Sequence, residues 1–573
     1  MNKLWVIKNQ DEVLKERFSR ELNISHVLAG LLINRNLTSA PAIEKFLSSK
    51  LSSLHNPFGL RDMERAVKRI GKAIRQKEKI LVYGDYDADG ITGVAILVTF
   101  FKKQGVEADW YLPNRLEEGY GLNMEAAKFI KSKGVKLVIT VDCGTSDKEE
   151  IDYLADNGID TIVVDHHRPQ KENLPAAYAI INPLHPECKY PFKELSGAGL
   201  AYKLVCALSE DAGDSDSEEF LDLVAIGTVA DVVPQVGENR ILTKLGLSKL
   251  SGTRRRGLMA LMEAAGLQNK DIQAEHIGFI IGPRINVSGR IGSPDIALRL
   301  ILTEDPIEAK ELAAILNQEN SHRQKLQERI FKEAVSKIEG EFNFKDNKVI
   351  VVWSEDWHPG VIGIVASKIA DRFYRPAVVL SVRNGVAKGS GRSIKNFHLF
   401  DAVYQCKDTL ENFGGHKAAC GVTILQDNIE RFRDSINQAA HRMIGASDLI
   451  PKLDVDMELP LSSLDERLME ELDMLGPFGA GNPQPLFLSR GLKIKGPPAQ
   501  YGRAGMKMWV TDKEVTCEAV CFNAADMPAR LCRSGGLGRA EGLSHVDMVY
   551  YPKLRNISGI DTFKLEVEDL KPA

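Results

Sequence analysis

Short apolar runs alternate with helix-like stretches between residues 79 and 235. Residues 80–82, 135–141, 161–164 and 179–181 read as buried strands. Strands separated by helical stretches argue for a largely parallel sheet. Residues 63–76, amphipathic and basic, lead into the first strand, and residues 221–230 form a later apolar run that ends at Asp231. Asp305-Pro306-Ile307-Glu308 predicts a helix start, with Asp as N-cap and Pro at the first helical position. The pattern then runs unbroken to Gly340, a helix of roughly 50 Å that links two domains. A second α/β pattern follows, with strands at 349–353 and 377–382 and a helix opening at His358. Helices thin out after Leu475, and residues 476–485 are rich in turn-forming Gly and Pro. Five short alternating runs, at 492–495, 507–511, 515–522, 546–551 and 564–567, suit a small β-barrel such as an OB-fold. The expected fold class is therefore α/β: a parallel-sheet domain, a long helix, a smaller α/β domain and a C-terminal OB-like barrel. The expected boundaries are an N-terminal arm at 1–45, then 46–304, 305–345, 346–450 and 451–573.

Composition constrains this picture without sharpening it. A chain of 573 residues implies roughly three to four domains. Its 44% hydrophobic content is ordinary for a globular protein. With a net charge of −4, global charge announces no nucleic-acid ligand, and any basic surface must be local. No apolar stretch approaches the roughly 18 residues of a membrane-spanning helix. The N-terminus lacks the apolar core of a signal peptide. The eight Cys are scattered, and Cys206, Cys420 and Cys521 sit in apolar runs, as expected for reduced thiols in a cytoplasm. Cys517 and Cys521 have no nearby His or Cys pair to complete a zinc set and read as strand residues.

The polar residues that end these strands carry the chemistry. Asp85, Asp87 and Asp89 alternate just after the first strand, and Gly90 and Gly93 bracket the start of the next helix. Ligands bind at that edge of open α/β sheets. Three carboxylates so close repel one another, and no basic residue lies between Lys79 and Lys102 to offset them. A hard divalent cation is the natural partner. The plain alternative is an acidic, solvated turn. Later strands count against it, ending at Asp142 and at Asp165-His166-His167. Helix N-capping accounts for Asp142 alone, but not for two imidazoles beside a carboxylate, which read as metal ligands or phosphate contacts.

Three glycine-rich segments are candidate anion grips. Residues 282–290 are expected to form a loop that carries Arg284 and Arg290. Residues 388–393 and 414–421 are expected to be loops that offer Ser390, Arg392, Ser393, Gly415, His416 and Lys417. Arg254-Arg255-Arg256 reads as a solvated charge run. Tyr501 and Trp509 suit either base stacking or a core.

Asp85-Tyr-Asp-Ala-Asp-Gly90, Asp142-Cys-Gly144, Asp165-His-His167, Ala230-Asp231 and residues 414–421 together resemble the DHH phosphoesterase superfamily with its C-terminal DHHA1 domain. Residues 83–93, 282–286 with Gly289-Arg290, 390–393 and 475–483 narrow the resemblance to its bacterial single-strand-specific 5′→3′ DNA exonucleases, over residues from about 50 to 570. The resemblance implies a two-metal nuclease of DNA repair and recombination that uses Mn2+ or Mg2+ and releases 5′-mononucleotides. Asp85 or Asp87 with Asp142 would hold one ion. Asp89, Asp142, His166 and Asp231 would hold the other, with Asp142 bridging. Asp165 would support these ligands or join them, and His167 would face the scissile phosphate. Arg392 and Ser390, helped by Arg284 or Arg290, would hold the 5′ end. Single-stranded DNA is the implied substrate, a single-strand-binding protein and a helicase are the implied partners, and a monomer without membrane contact is expected. Two other readings are a phosphodiesterase for oligoribonucleotides or cyclic dinucleotides, or a pyrophosphatase, and a binding protein that has lost its ligands. The first needs only the two α/β domains, and the intact acidic and His positions count against the second.

Overall fold

Strand Ile80–Gly84 (β1) is buried at every position, as a strand covered on both faces must be. It lies in a computed structural model that describes residues 3–115, 118–169, 173–212, 217–502, 505–522, 545–557 and 560–573. Residues 54–450 make one unit, and residues 1–53 with 451–573 make another.

In the first unit, helix Ala88–Lys103 (α1) follows β1, and strand Asp109–Tyr111 (β2) follows α1. Strands Leu137–Val141 (β3), Asp160–Val164 (β4) and Ala179–Ile181 (β5) complete a five-stranded sheet in the order β2-β1-β3-β4-β5. Every pairing in it is parallel. All its carboxyl ends therefore open on one edge, and the loops that carry chemistry gather there. Only β2 is absent from the sequence expectation, because Asp109–Tyr111 is a largely exposed edge strand with no apolar run. The apolar run before Asp231 is a helix, Leu221–Ala230 (α3), packed beside helix Gly197–Ala212 (α2).

The long helix is Pro306–Glu341 (α4), capped by Asp305. It leads to a five-stranded mixed sheet. Strand Ile350–Ser354 (β6) and helix Pro359–Phe373 (α5) precede strands Ala377–Arg383 (β7), Val386–Arg392 (β8), Asn412–Gly415 (β9) and Ala419–Leu425 (β10). The order is β9-β10-β8-β7-β6.

Two expected loops are strands here. Residues 388–393 belong largely to β8 and residues 414–421 to the β9–β10 hairpin, with Gly421 opposite Ser390 and Ala419 opposite Arg392. Two of their glycines serve packing. A Cβ on Gly389 would lie 2.3 Å from Leu380 Cδ2, and one on Gly391 would lie 2.5 Å from Cys420 Sγ. A third expected loop is helical: residues Gly282–Asn286 continue a π-helical turn, Ile277–Ile281. Pro283 follows that π-helical turn directly, where the regular i→i−4 ladder is already interrupted.

In the second unit, strands Phe487–Tyr501 (β11), Gly505–Thr511 (β12), Thr516–Cys521 (β13), His545–Ile557 (β14) and Ile560–Pro572 (β15) close in the order β11-β12-β13-β15-β14, with β14 returning to β11. Closure leaves this five-stranded barrel no free edge. The first 53 residues do not stand apart as an arm. Leu4–Ile7 pairs in parallel with Lys452–Val455. Phe18, Leu28, Leu31, Leu32 and Ile43 share one core with Leu468, Leu472, Val510 and Val546. Among the described residues, no helix is long and apolar enough to cross a membrane.

Candidate metal centre and anion cleft

Each acidic residue of interest stands where an element ends. Asp85 follows β1 and is 4% exposed. Asp87 caps α1, accepting from the backbone N–H groups of Asp89 at 2.9 Å and Gly90 at 3.2 Å. Gly90 is required: a Cβ there would lie 2.5 Å from the Asp85 carbonyl oxygen. Asp89 accepts from the first N–H groups of α2, Gly197 at 2.6 Å and Ala198 at 2.9 Å, where the helix dipole favours negative charge. Asp142 follows β3 in the left-handed region, at φ 62°. Asp231 closes α3.

Asp165, after β4, organises the histidines. Its Oδ1 accepts from the His167 backbone N–H at 3.1 Å and lies 2.8 Å from His167 Nδ1. Its Oδ2 accepts from the Thr145 N–H at 3.0 Å. His166 Nε2 lies 3.0 Å from Asp142 Oδ1, 3.5 Å from Asp231 Oδ2 and 4.0 Å from Asp89 Oδ2. Three groups of donor atoms thus converge: Asp85, Asp87 and Asp142; Asp89, His166 and Asp231; and Asp142, His166 and His167. Asp142 and His166 each belong to two of them.

Burial sets the charges. It raises Asp85 and Asp142 well above the ordinary carboxylate value, aided by neighbouring aspartates. Burial and Asp87 push Asp89 up to about 7. Burial and Asp89 push Asp231 up to about 9. Asp165 goes the other way, because the His167 hydrogen bond and the two imidazoles outweigh its burial. Burial opposes charge on His167, yet Asp165 raises the ring to about 9. Burial, and then His167, lower His166 to about 4, while the ring hydrogen-bonds the Leu195 backbone. A neutral His166 fixed from one side offers a lone pair on the other.

Asp85 Oδ1, Asp142 Oδ1 and His166 Nε2 are buried without hydrogen-bond partners. For His166 and Asp142 the ion-pair distance and the missing hydrogen bond disagree. The missing bond is the more telling, since a neutral His166 leaves two lone pairs facing one space. Oxygen-rich donors with one imidazole and no bonded protons between them fit a hard divalent cation.

A cavity of about 230 Å³ opens on this cluster, lined by Asp85, Asp142, His167, Asn286, Arg290 and others. Arg290 is lowered to about 10 by burial and by Arg115 and Arg323. Asn286 accepts from the Ala88 N–H at 2.7 Å, pinning the start of α1. Arg392 Nη1 donates to Ser390 Oγ at 2.8 Å on β8. Ser393 is spent on the carbonyls of Ile394 and Phe397. His416 and Lys417 are exposed on the β9–β10 turn, next to Gly415, and are not part of the metal cluster. Arg284 bonds Asn317 and does not line the cavity.

Two lining residues escaped the sequence reading. The Tyr120 hydroxyl lies 3.0 Å from both the Asp142 carbonyl oxygen and His167 Nδ1. The Arg115 guanidinium lies 5.3 Å above the Tyr86 ring. Both follow the short strand β2, and an aromatic between Gly119 and Gly121 was the signal available. A larger cavity, about 1180 Å³, holds none of the Asp and His cluster. It is lined by the Arg254–256 run, of which Arg255 is paired with Asp222 at 3.2 Å.

Family models match three stretches: the N-terminal domain of the DHH family at residues 79–228, the DHHA1 domain at 346–442 and the RecJ OB domain at 455–569. The single-stranded-DNA-specific exonuclease RecJ of Bacillus subtilis is 39% identical over 91% of the chain and 66% of its own length. That of Haemophilus influenzae is 34% identical over 84% of the chain and 87% of its own length. The chain belongs to the RecJ family. It thus spans about two thirds of its Bacillus relative and most of its Haemophilus one. The crystal structure of RecJ from Thermus thermophilus in complex with Mn2+ is similar, with a TM-score of 0.83 and 29% identity over 99% of the chain and 79% of the Thermus protein. The Mg2+ complex of that protein is similar too, with a TM-score of 0.77 and 27% identity over 99% of the chain and 78% of the Thermus protein.

Proposed function

We infer that this chain is a single-strand-specific 5′→3′ DNA exonuclease that hydrolyses phosphodiesters with two divalent ions, Mn2+ or Mg2+, in its acidic cluster, and serves DNA repair and recombination. The observation that carries this is the convergence of Asp89, Asp142, His166 and Asp231 from four separate element ends. Relatives of the same family are named as single-stranded-DNA-specific exonucleases, and one has been crystallised with each metal. Asp85, Asp87 and Asp142 would hold one ion and Asp89, Asp142, His166 and Asp231 the other. When bound, such a pair neutralises the diester oxygens, activates the attacking water and stabilises the leaving 3′-oxygen.

The chain's own residues do the rest. Asp165 and Tyr120 orient His167, whose Nε2 faces the phosphate as a cationic donor at neutral pH. Arg290, and Arg392 with Ser390, grip the 5′ terminus, which sets polarity. The OB barrel supplies a further surface for single strands. A single-strand-binding protein and a helicase are the expected partners of a cytoplasmic, monomeric enzyme.

The test is metal-dependent release of mononucleotides from 5′-labelled single strands. Asp142→Ala and His166→Ala should each weaken metal binding by about 10–100-fold or more and abolish release, with the fold intact by circular dichroism. Full activity in either variant would refute the metal assignment.

A further inference from the structure

The larger cavity, of about 1180 Å³, has no part in the hydrolysis. It opens at the far end of α1 from the metal centre. Val98, Thr99 and Lys102, in the last turns of that helix, line it, whereas Asp87 caps the first turn. A helix of 16 residues puts roughly 24 Å between its two ends. Val98, Val106, Ile301 and Leu302 give the cavity an apolar lining. Trp110, on the edge strand β2, adds an indole that is 39% exposed and has no ring partner among the described residues.

The arginine run in its wall is braced from beneath. Asp222, 2% exposed, anchors the middle residue: Arg255 Nε lies 3.2 Å from each of its oxygens, and the Thr253 hydroxyl donates to it at 2.8 Å. Arg255 Nη2 donates to the Glu219 carbonyl at 3.2 Å. Gly257 packs so closely on Leu300 that a Cβ would lie 1.6 Å from the carbonyl oxygen. Thr253, Arg255 and Gly257 are therefore fixed, and Arg254 and Arg256 between them both line the cavity. A run kept only for solvation needs no such anchor.

The charges of the lining do not cancel. Lys102 is paired with Glu304 at 2.7 Å, Arg255 with Asp222, and Glu219 with Lys103. Lys249, Arg254 and Arg256 have no carboxylate within ion-pair reach among the described residues, and Glu107 is the lining carboxylate left over. A single phosphate would leave part of that positive charge unmatched, and a wholly apolar ligand would leave all of it. Guanidiniums suit phosphate oxygens, and an open indole suits a flat base. The volume is ample for a nucleotide with its phosphates. We propose that this cavity binds a nucleoside polyphosphate, with its base on Trp110 and its phosphates on Arg254, Arg256 and Lys249. The site stands apart from the metal centre and does not rest on the nuclease reading.

Calorimetry on the full chain tests the site. ATP and, separately, GTP are titrated in EDTA, so that no divalent ion can recruit phosphates to the metal centre. At least one should fill a single saturable site. Its two halves, tripolyphosphate and the free nucleoside, should each bind about tenfold more weakly or worse. Arg254→Gln combined with Arg256→Gln should weaken the nucleotide by about tenfold or more, the scale of lost charge-assisted hydrogen bonds. Trp110→Ala should weaken the nucleotide and leave tripolyphosphate unchanged. Arg290→Gln, in the metal cavity, should bind the nucleotide as the wild type does. The Arg254, Arg256 and Trp110 variants should keep the circular dichroism and the nucleotide-free exonuclease rate of the wild type. No saturable binding, tripolyphosphate as tight as the nucleotide, unchanged affinity in the double variant, or loss of binding in Arg290→Gln would overturn the site.

Discussion

At the scale of single residues, Asp165 and His167 divide their labour through one short contact. Asp165 spends both oxygens on Thr145 and His167, so it is an orienting group more than a free ligand. Its negative charge keeps His167 protonated up to about pH 9. Asp165→Asn should therefore slow turnover by about 10–100-fold and shift the alkaline limb of the pH–rate profile down towards the ordinary imidazole value. A profile with an unmoved alkaline limb would show that His167 is not the titrating group. The carboxylates carry a second consequence. Asp89 and Asp231 titrate at about 7 and about 9 in the fold, above their ordinary 3.8. The folded form then binds more protons than the unfolded chain between those values. Their contribution to stability is full below pH 3.8 and lost as pH rises through about 7 and about 9. His167 acts in the same direction over the upper part of that range. Melting temperature of the metal-free protein should fall from pH 6 to 9, and the rise on adding Mg2+ should grow over the same window.

At the scale of elements, the centre depends on how closely strand ends and helix starts approach. Gly90 marks one of these close approaches, with backbone rather than side chain in the way of a Cβ. Gly90→Ala should destabilise the first unit by roughly 1–3 kcal/mol in urea unfolding and weaken Mn2+ binding, because Asp85 and Asp89 move with that backbone. Wild-type affinity in this variant would mean the strand–helix junction is softer than its packing indicates. Elements are also where sequence is most legible and then fails. Strands β1, β3, β4 and β5 are legible as unbroken apolar runs, and helix α4 and the five barrel strands by the pattern that partial burial writes into each. The segments at 282–286, 388–393 and 414–421 are not. Glycine there reads as a mark of loops, yet its use at Gly389 and Gly391 is to let two strands pack against Leu380 and Cys420. A Gly-rich strand and a Gly-rich loop share composition and differ only in their partners.

At the scale of the whole chain, the first and last segments form one unit despite the sequence between them. Leu31 is fully buried in a core that draws on both segments. Leu31→Ala should cost about 2–5 kcal/mol. Followed by hydrogen exchange, the loss of protection should fall on residues 3–53 and the barrel strands and spare residues 80–231. Loss spread evenly over both units would show that they unfold as one.

The sequence alone determined the alternation of strands and helices, the long helix, the barrel strands and the acidic and imidazole residues at the strand ends. Those are local facts, set by periodicity and by which residues interrupt it. Tertiary structure decided which of them meet. It brought Asp231 from a helix end to within 3.5 Å of His166, placed Tyr120 against His167, and left His416 and Lys417 on an exposed turn. It also set Arg284 against Asn317, and Arg323 against Asn320 and Gln327. Charge and proximity across hundreds of residues have no period along a chain, because they arise only when the sheet lines up its carboxyl ends.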